Sequence, residues 1–584
     1  MHSIAMSKTR HINGKLGLEG LMALIVVATV LLPGALAHDS EYGPHGSFED
    51  SYANDTATLD TYFTQVEHAG IMYGHIIAMT VAWVVVLPIA VMLSLANSRT
   101  KLLVQFVFFS MNAFGIALAI SYNALTPDLY PNNAHHRIGW IITLVATIAI
   151  SVSFLYSIGQ VIKRQVGVQV IEPEPAFTSF APRNYNPADC FSDNVSMPHS
   201  KRNSPETDVA SLSGHDDSHI DESCTNADHE EKDSLLPMVD SHPRLSFLSA
   251  GFFSLAYWKY LRIFSRMMDY IILPFAFVAI TTGIVTYGRF FEGHTMFGGL
   301  AHWIKGGVFV WLGLFTLGRW CGSFAEWGWA WNICPSRDET WRPSAEFVES
   351  ALICFYGCTN IFLEHISGWG GRWTSRDLEH VAISVLFIGG GALGILVESS
   401  WIKQLLNTTI YHKTLNSSHT KPEREQQRHS PGTRCSSLNP IPALVILLLG
   451  VMMSSHEQAT MMGTMLHTQW GNLLSCAALA RALTYVILYL KPPTSIFPSR
   501  IPTELLTAFG LISGGVIFMA SSDDTIEGLI HYGLDAMFMY TVTMGVVGLL
   551  MAWEVTLLAF KGWAVRNECR NGARSSETAI HDQP

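Results

Sequence analysis

The sequence predicts an all-α polytopic membrane helical bundle, with about eleven transmembrane helices after a cleaved signal peptide. Two observations carry this. Of 584 residues, 49% are hydrophobic and 14% charged, and apolar runs of about 20 residues, the length that crosses a bilayer, recur along the chain. Lys and Arg also alternate between the two sets of connections, as the positive-inside rule requires.

At the N-terminus, Lys8, Arg10 and Lys15 precede the apolar run 18–32, and Ala35-Leu36-Ala37 offers an A-x-A cleavage site. Residues 1–37 therefore read as a signal peptide. Residues 38–71 form a lumenal segment, where Asn54-Asp55-Thr56 is a usable glycosylation sequon at Asn54. A three-helix membrane domain is expected over 72–164, from the apolar segments 72–96, 102–125 and 138–162.

Residues 165–246 hold 15 acids against 5 bases, so nearly all of the net charge of −11 belongs to this segment. It is rich in Ser, Asp, Asn and Pro and reads as a disordered cytosolic loop, a candidate surface for protein partners. No basic patch points to nucleic acid. The second membrane domain, 247–565, contains the segments 267–288, 298–320, 345–365, 380–402, 439–455, 464–490, 502–520 and 533–560. The stretch 247–258 is too short to cross, and 566–584 is a cytosolic tail.

The Lys- and Arg-rich connections face the cytosol. This places the mature N-terminus in the lumen or outside the cell and the C-terminus in the cytosol, in the endomembrane system or plasma membrane. No cysteine falls in a lumenal loop, so no disulfide framework is expected.

Ionisable groups at membrane depth cost about 2.5 to 3.5 kcal/mol each on insertion scales, so each needs a reason to be there. With this orientation His75, His135, His136, His302, His365, His380, His456, His467 and His531 map to lumenal ends, as do Glu364, Glu379, Asp523, Asp524, Glu527 and Asp535. Arg319, Glu346, Glu349, Glu398 and Glu554 fall in the cytosolic halves. Glu364-His365 and Glu379-His380 bracket one short loop. In 345–365, Glu349, Tyr356, Asn360 and Glu364 fall within an arc of roughly 80°, along about 22 Å of helix. Such a stripe faces the bundle interior. Gly389-Gly390-Gly391 and Gly394 permit close helix contact in the next segment.

Two kinds of chemistry fit these groups. Imidazole and carboxylate together suit a divalent metal or a proton relay. The expected site is His302, Glu364, His365, Glu379, His380, His456 and His467. Glu349 and Asn360 extend a path inward, with Glu398 and Glu554 as its inner members. Facing histidines also suit axial ligation of haem b, with His75, His135 and His136 as candidates. No soluble-enzyme signature is present: no phosphate-binding glycine loop with Lys, no nucleophile elbow and no cysteine-pair zinc spacing. A non-catalytic scaffold or trafficking role through the acidic loop is the third class.

The stretches SAEFVESALICFYGCTNIFLEH (344–365), DLEHVAISVLFIGGGALGILVES (377–399), SSHEQATMMGTMLHTQWG (454–471) and PTELLTAFGLISGGVIFMASSDDT (502–525) resemble the fungal Ytp-one-like integral membrane proteins. AHWIKGGVFVWLGLFTLGRW (301–320) fits the same pattern. The resemblance covers roughly residues 260–565, and it implies a polytopic fungal membrane protein without a settled activity. Residues 65–165 are similar to the domain of unknown function that usually precedes it. HAGIMYGHIIAMTVAWVVVLPIAVML and AHHRIGWIITL also resemble, more faintly, haem helices of the transmembrane ascorbate-dependent cytochromes b. That similarity implies at most one haem site, at His75 with His135 or His136. The other core helices carry Asn112 and Asp269 where those cytochromes carry histidine.

Overall fold

The computed structural model describes residues 61–165, 255–293, 296–334, 342–363, 373, 375–417 and 437–581. The signal peptide, Asn54 and the acidic segment 166–246 lie outside the described residues. Every long element is helical, and no strand occurs among the described residues.

The long helices are α1 (Ala69–Leu95), α2 (Lys101–Leu125), α3 (Ala134–Gln165), α4 (Leu255–Gly288), α5 (Met296–Cys321), α6 (Ala345–Leu363), α7 (Ser375–Glu398), α8 (Ser400–Ser417), α9 (Ile441–Ser454), α10 (Met461–Leu490), α11 (Pro502–Ala520), α12 (Asp523–His531) and α13 (Ala536–His581). Each of the expected spans corresponds to one of them. Among the described residues nine helices are long and apolar enough to cross a bilayer. The other two expected spans differ for identifiable reasons. Helix α6 carries Glu346 and Glu349 near its start, and α9 has 14 residues, about 21 Å of helix. Residues 255–258, expected outside the spans, extend α4.

The chain divides into two units: 1–154 with 266–568, and 155–265 with 569–584. In the second unit the described residues continue α3, α4 and α13 as helix. In the first, one apolar core joins α1 to α4 with Trp553 and Leu557 of α13 around Trp83, Phe108 and Ile142. Within it, Trp83 Nε1 donates to Asn112 Oδ1 at 2.9 Å, and Ser94 Oγ donates to Asp269 Oδ2 at 2.8 Å. Both polar groups flagged in the N-terminal helices are thus partnered inside the core, as buried polar atoms must be.

A second core unites α7, α9, α10, α11 and α12 around Trp470, Leu474 and Ile517. A third holds α5, α11 and α13 together through Leu317, Ile512 and Val547. Small residues let these helices approach. A Cβ on Gly306 would stand 2.5 Å from the Gly515 carbonyl oxygen, and one on Gly391 would stand 2.5 Å from the Cys354 amide nitrogen. Without a large hydrophobic drive between helices in lipid, such backbone approach supplies dispersion contact instead. Of the flagged glycine run, Gly390, Gly391 and Gly394 are at contacts, while Gly389 has open space around it.

Candidate functional site

Histidines from separate elements converge at one end of the second core. His302 on α5 and His467 on α10 meet edge to face, their ring centroids 5.9 Å apart. His456, just past α9, lies 6.5 Å from His467, and its Nδ1 is 3.6 Å from Glu379 Oε2 on α7. His380 and Asp523 lie within electrostatic range of His302. The structure therefore gathers His302, Glu379, His380, His456 and His467, five of the expected site residues. Glu364 and His365 lie outside the described residues.

The rings are held in defined orientations. His302 Nδ1 is 2.9 Å from the Gly298 carbonyl and His467 Nδ1 is 2.8 Å from the Gly463 carbonyl, each one turn back in its own helix. A carbonyl accepts and cannot donate, so both Nδ1 atoms carry hydrogen. Nε2 is left as the basic nitrogen of each neutral ring. Phe518 packs 5.4 Å from His302 and stacks on Trp470 at 4.2 Å, and Trp470 lies 5.7 Å from His467. The aromatic wall makes one side dry, while His456 and Glu379 stay 26% and 55% exposed. Among the described residues no three His, Cys, Asp or Glu side chains group closely enough to hold a metal ion.

A polar chain leads away from the histidines along α6 and α7. Tyr356 donates to Asn360 Oδ1 at 3.0 Å, Asn360 Nδ2 donates to Ser384 Oγ at 2.8 Å, and Ser384 donates to the His380 carbonyl at 3.0 Å. Asn360 and Ser384 are buried. Asn360 thus faces α7, while Glu349, 11 residues earlier in the chain and about 16 Å along the helix, meets Arg319 of α5 and Arg481 of α10.

Glu349, about two turns before Tyr356 on α6, belongs to a buried charge network. Arg319 on α5 pairs with Glu346 at 3.1 Å and Glu349 at 3.2 Å, and Arg481 on α10 lies 3.5 Å from Glu349 and 2.8 Å from Glu504 on α11. All five residues are buried. Arg319 Nε also donates to the Trp329 carbonyl at 2.7 Å, and Arg481 Nη2 donates to Thr316 at 3.1 Å. The Trp331 ring lies 4.4 Å from the Arg319 guanidinium. Sequence reasoning placed Arg319, Glu346 and Glu349 at this end but did not single out Arg481 or Glu504. A lone arginine deep in a 30-residue apolar helix was the available signal, since such a charge needs partners.

Two expected inner members are placed elsewhere. Glu398 accepts hydrogen bonds from Ser344 at 3.0 Å and from Ser437, tying the starts of α6 and α9 to the end of α7. Glu554 packs against Gly318, whose added Cβ would lie 3.4 Å from Glu554 Oε1, and Glu554 Oε2 has no hydrogen-bond partner. Among the described residues, neither shares a hydrogen bond or ion pair with the Glu349 network.

In the N-terminal helices, His75 and His135 face each other with ring centroids 6.5 Å apart. His75 Nδ1 is 2.8 Å from the Gly115 carbonyl, and His135 Nδ1 is 3.1 Å from Thr282 Oγ1. His136, the other candidate, is exposed. One position along a helix turns a side chain by about 100°, and that rotation separates the two.

Fold and site together define a polytopic α-helical membrane protein with histidines and paired charges enclosed between its helices. The family described as Protein YTP1-like, C-terminal, matches residues 275–562, and a domain of unknown function, DUF2427, matches residues 56–158. An uncharacterized membrane protein of Schizosaccharomyces pombe is 33% identical over 511 residues, covering 84% of this chain and 94% of that protein. An uncharacterized membrane protein of Saccharomyces cerevisiae is 40% identical over 316 residues, covering 52% of this chain and 48% of that protein. Protein YTP1 of Saccharomyces cerevisiae is 23% identical over 217 residues, covering 37% of this chain and 39% of that protein. The chain belongs to the fungal Ytp1-like family of integral membrane proteins. No solved structure matches it.

Proposed function

We propose that this membrane protein binds and transfers protons, with the histidine cluster as the exchange site at one membrane face. The observation that carries the reading is the pairing of His302 and His467, each held by an Nδ1 contact to its own helix and left with a basic Nε2. The partly exposed His456 and the half-exposed Glu379 supply contact with water. The Tyr356–Asn360–Ser384 chain supplies buried polar groups between α6 and α7 beside the cluster. From the distribution of Lys and Arg, the histidine end faces the lumen or exterior and the charge network faces the cytosol. A divalent metal is the alternative cargo, with imidazole and carboxylate as its ligands. Proton flux in vesicles containing wild-type protein or a His302→Phe, His467→Phe variant tests the reading.

The facing His75 and His135 support a second reading, electron transfer through one haem b. These two residues would hold the iron, with His75 Nδ1 and His135 Nδ1 already engaged elsewhere and Nε2 left for ligation. When bound, the haem would supply one-electron chemistry. A reducible Soret band in the purified protein that disappears in His75→Ala supports this reading, and its absence in the wild type removes it.

A further inference from the structure

We infer that the buried charge network is an occluded proton-binding site, in which Glu346 and Glu504, the outer carboxyls on either side of Glu349, share one exchangeable proton at rest. The argument begins with charge. Acid and base alternate along the network as Glu346, Arg319, Glu349, Arg481 and Glu504. Arg stays protonated in proteins, so the network holds two fixed positive charges. Three ionised carboxylates would leave one negative charge uncompensated among residues that are between 1% and 8% exposed. An unpaired charge at that depth is costly, and a carboxylate relieves the cost by taking a proton.

Geometry indicates where the proton sits. Glu349 lies beside both guanidiniums, at 3.2 Å from Arg319 and 3.5 Å from Arg481. Glu346 and Glu504 each lie beside a single guanidinium in these pairings. The proton belongs to these two outer carboxyls.

A separate observation points into the same space. Tyr485 is 7% exposed, its hydroxyl has no hydrogen-bond partner, and it lies within electrostatic range of Glu346, Glu349, Glu504 and Arg481. The Glu504 carboxylate likewise has unsatisfied capacity, and the indole N–H of Trp331 is buried without a partner beside Arg319. The network therefore keeps hydrogen-bonding capacity that its ion pairs do not use, as a site that gains and loses a proton requires.

This assignment gives the proton reading an inner site, yet it is read in the resting protein without any flux. Its failure is therefore distinguishable from failure of the histidine cluster. The experiment is infrared difference spectroscopy of the full-length protein in lipid at neutral pH, with exchange into heavy water. The expected result is a protonated-carboxyl carbonyl band that shifts in heavy water. Glu346→Gln and Glu504→Gln each remove it, because two carboxylates then balance two arginines. All spectra are taken in a Glu554→Gln background, which removes the separate signal of that unpaired buried carboxyl outside the network. Absence of the band with the network intact overturns the assignment. So does a band that survives in both Glu346→Gln and Glu504→Gln. Absence of the band together with stability that depends on sodium or potassium assigns the excess charge to a metal cation and also overturns it.

Discussion

His302 and His467 stand edge to face at 5.9 Å although 165 residues separate them in the chain. The contact exists because α5 and α10 both pack against α11, whose Phe518 lies against His302 and stacks on Trp470 beside His467. Phe518 is thus the floor of the histidine pair. Phe518→Ala should cost about 3–5 kcal/mol, the range for truncating a buried aromatic. Thermal unfolding in detergent checks this, and Phe518→Leu should lose less.

The glycines of α7 make a contrast within one helix. Gly391→Ala should destabilise by about 1–3 kcal/mol, since the added Cβ meets the Cys354 backbone at 2.5 Å and neither helix can yield cheaply. Gly389 has nothing within 4 Å, so Gly389→Ala should be neutral or stabilise by up to about 1 kcal/mol through helix propensity. Chemical denaturation of the two variants side by side decides the point.

Arg481 holds Glu349 and Glu504 together from the middle of α10. Arg481→Met should cost about 3–5 kcal/mol, because two buried carboxylates lose a partner. Adding Glu504→Gln should recover part of that loss, giving a non-additive double-mutant cycle.

Outside the spans, Tyr62 donates to Asp128 Oδ1 at 3.0 Å and accepts from the Leu129 amide at 3.1 Å. Burial, aided by the bond to Asp128, raises the Tyr62 pKa above its ordinary 10.0. The folded state then keeps its phenolic proton longer than the unfolded state, so this contribution to stability is full below pH 10.0 and is lost as pH rises through the folded value. Tyr62→Phe should flatten the alkaline loss in a stability-versus-pH series.

Much of the fold was legible because a bilayer demands long apolar helices, and the chain supplies them at regular intervals. The glycine run was legible as a contact surface, though not which of its members touched a neighbour. The stripe of Glu349, Tyr356 and Asn360 was legible from helical period alone. Arg481 and Glu504 were not, because their meaning lies in one another and that pairing is tertiary. His135 and His136 are adjacent in sequence, and only the rotation of α3 tells which one faces His75. Glu398 and Glu554 share depth with Glu349 in the sequence reading, but Glu398 is bound by Ser344 and Ser437 and Glu554 lies against Gly318.

The central claim rests on the histidine pair, and proton flux tests it most directly. Full-length protein in sealed vesicles containing a pH-sensitive dye is given an imposed pH gradient. The wild type should dissipate the gradient, while the His302→Phe, His467→Phe variant should be slower by about 100-fold or more, as loss of a positioned acid–base group predicts. Equal rates in the wild type and a folded double variant would contradict the account.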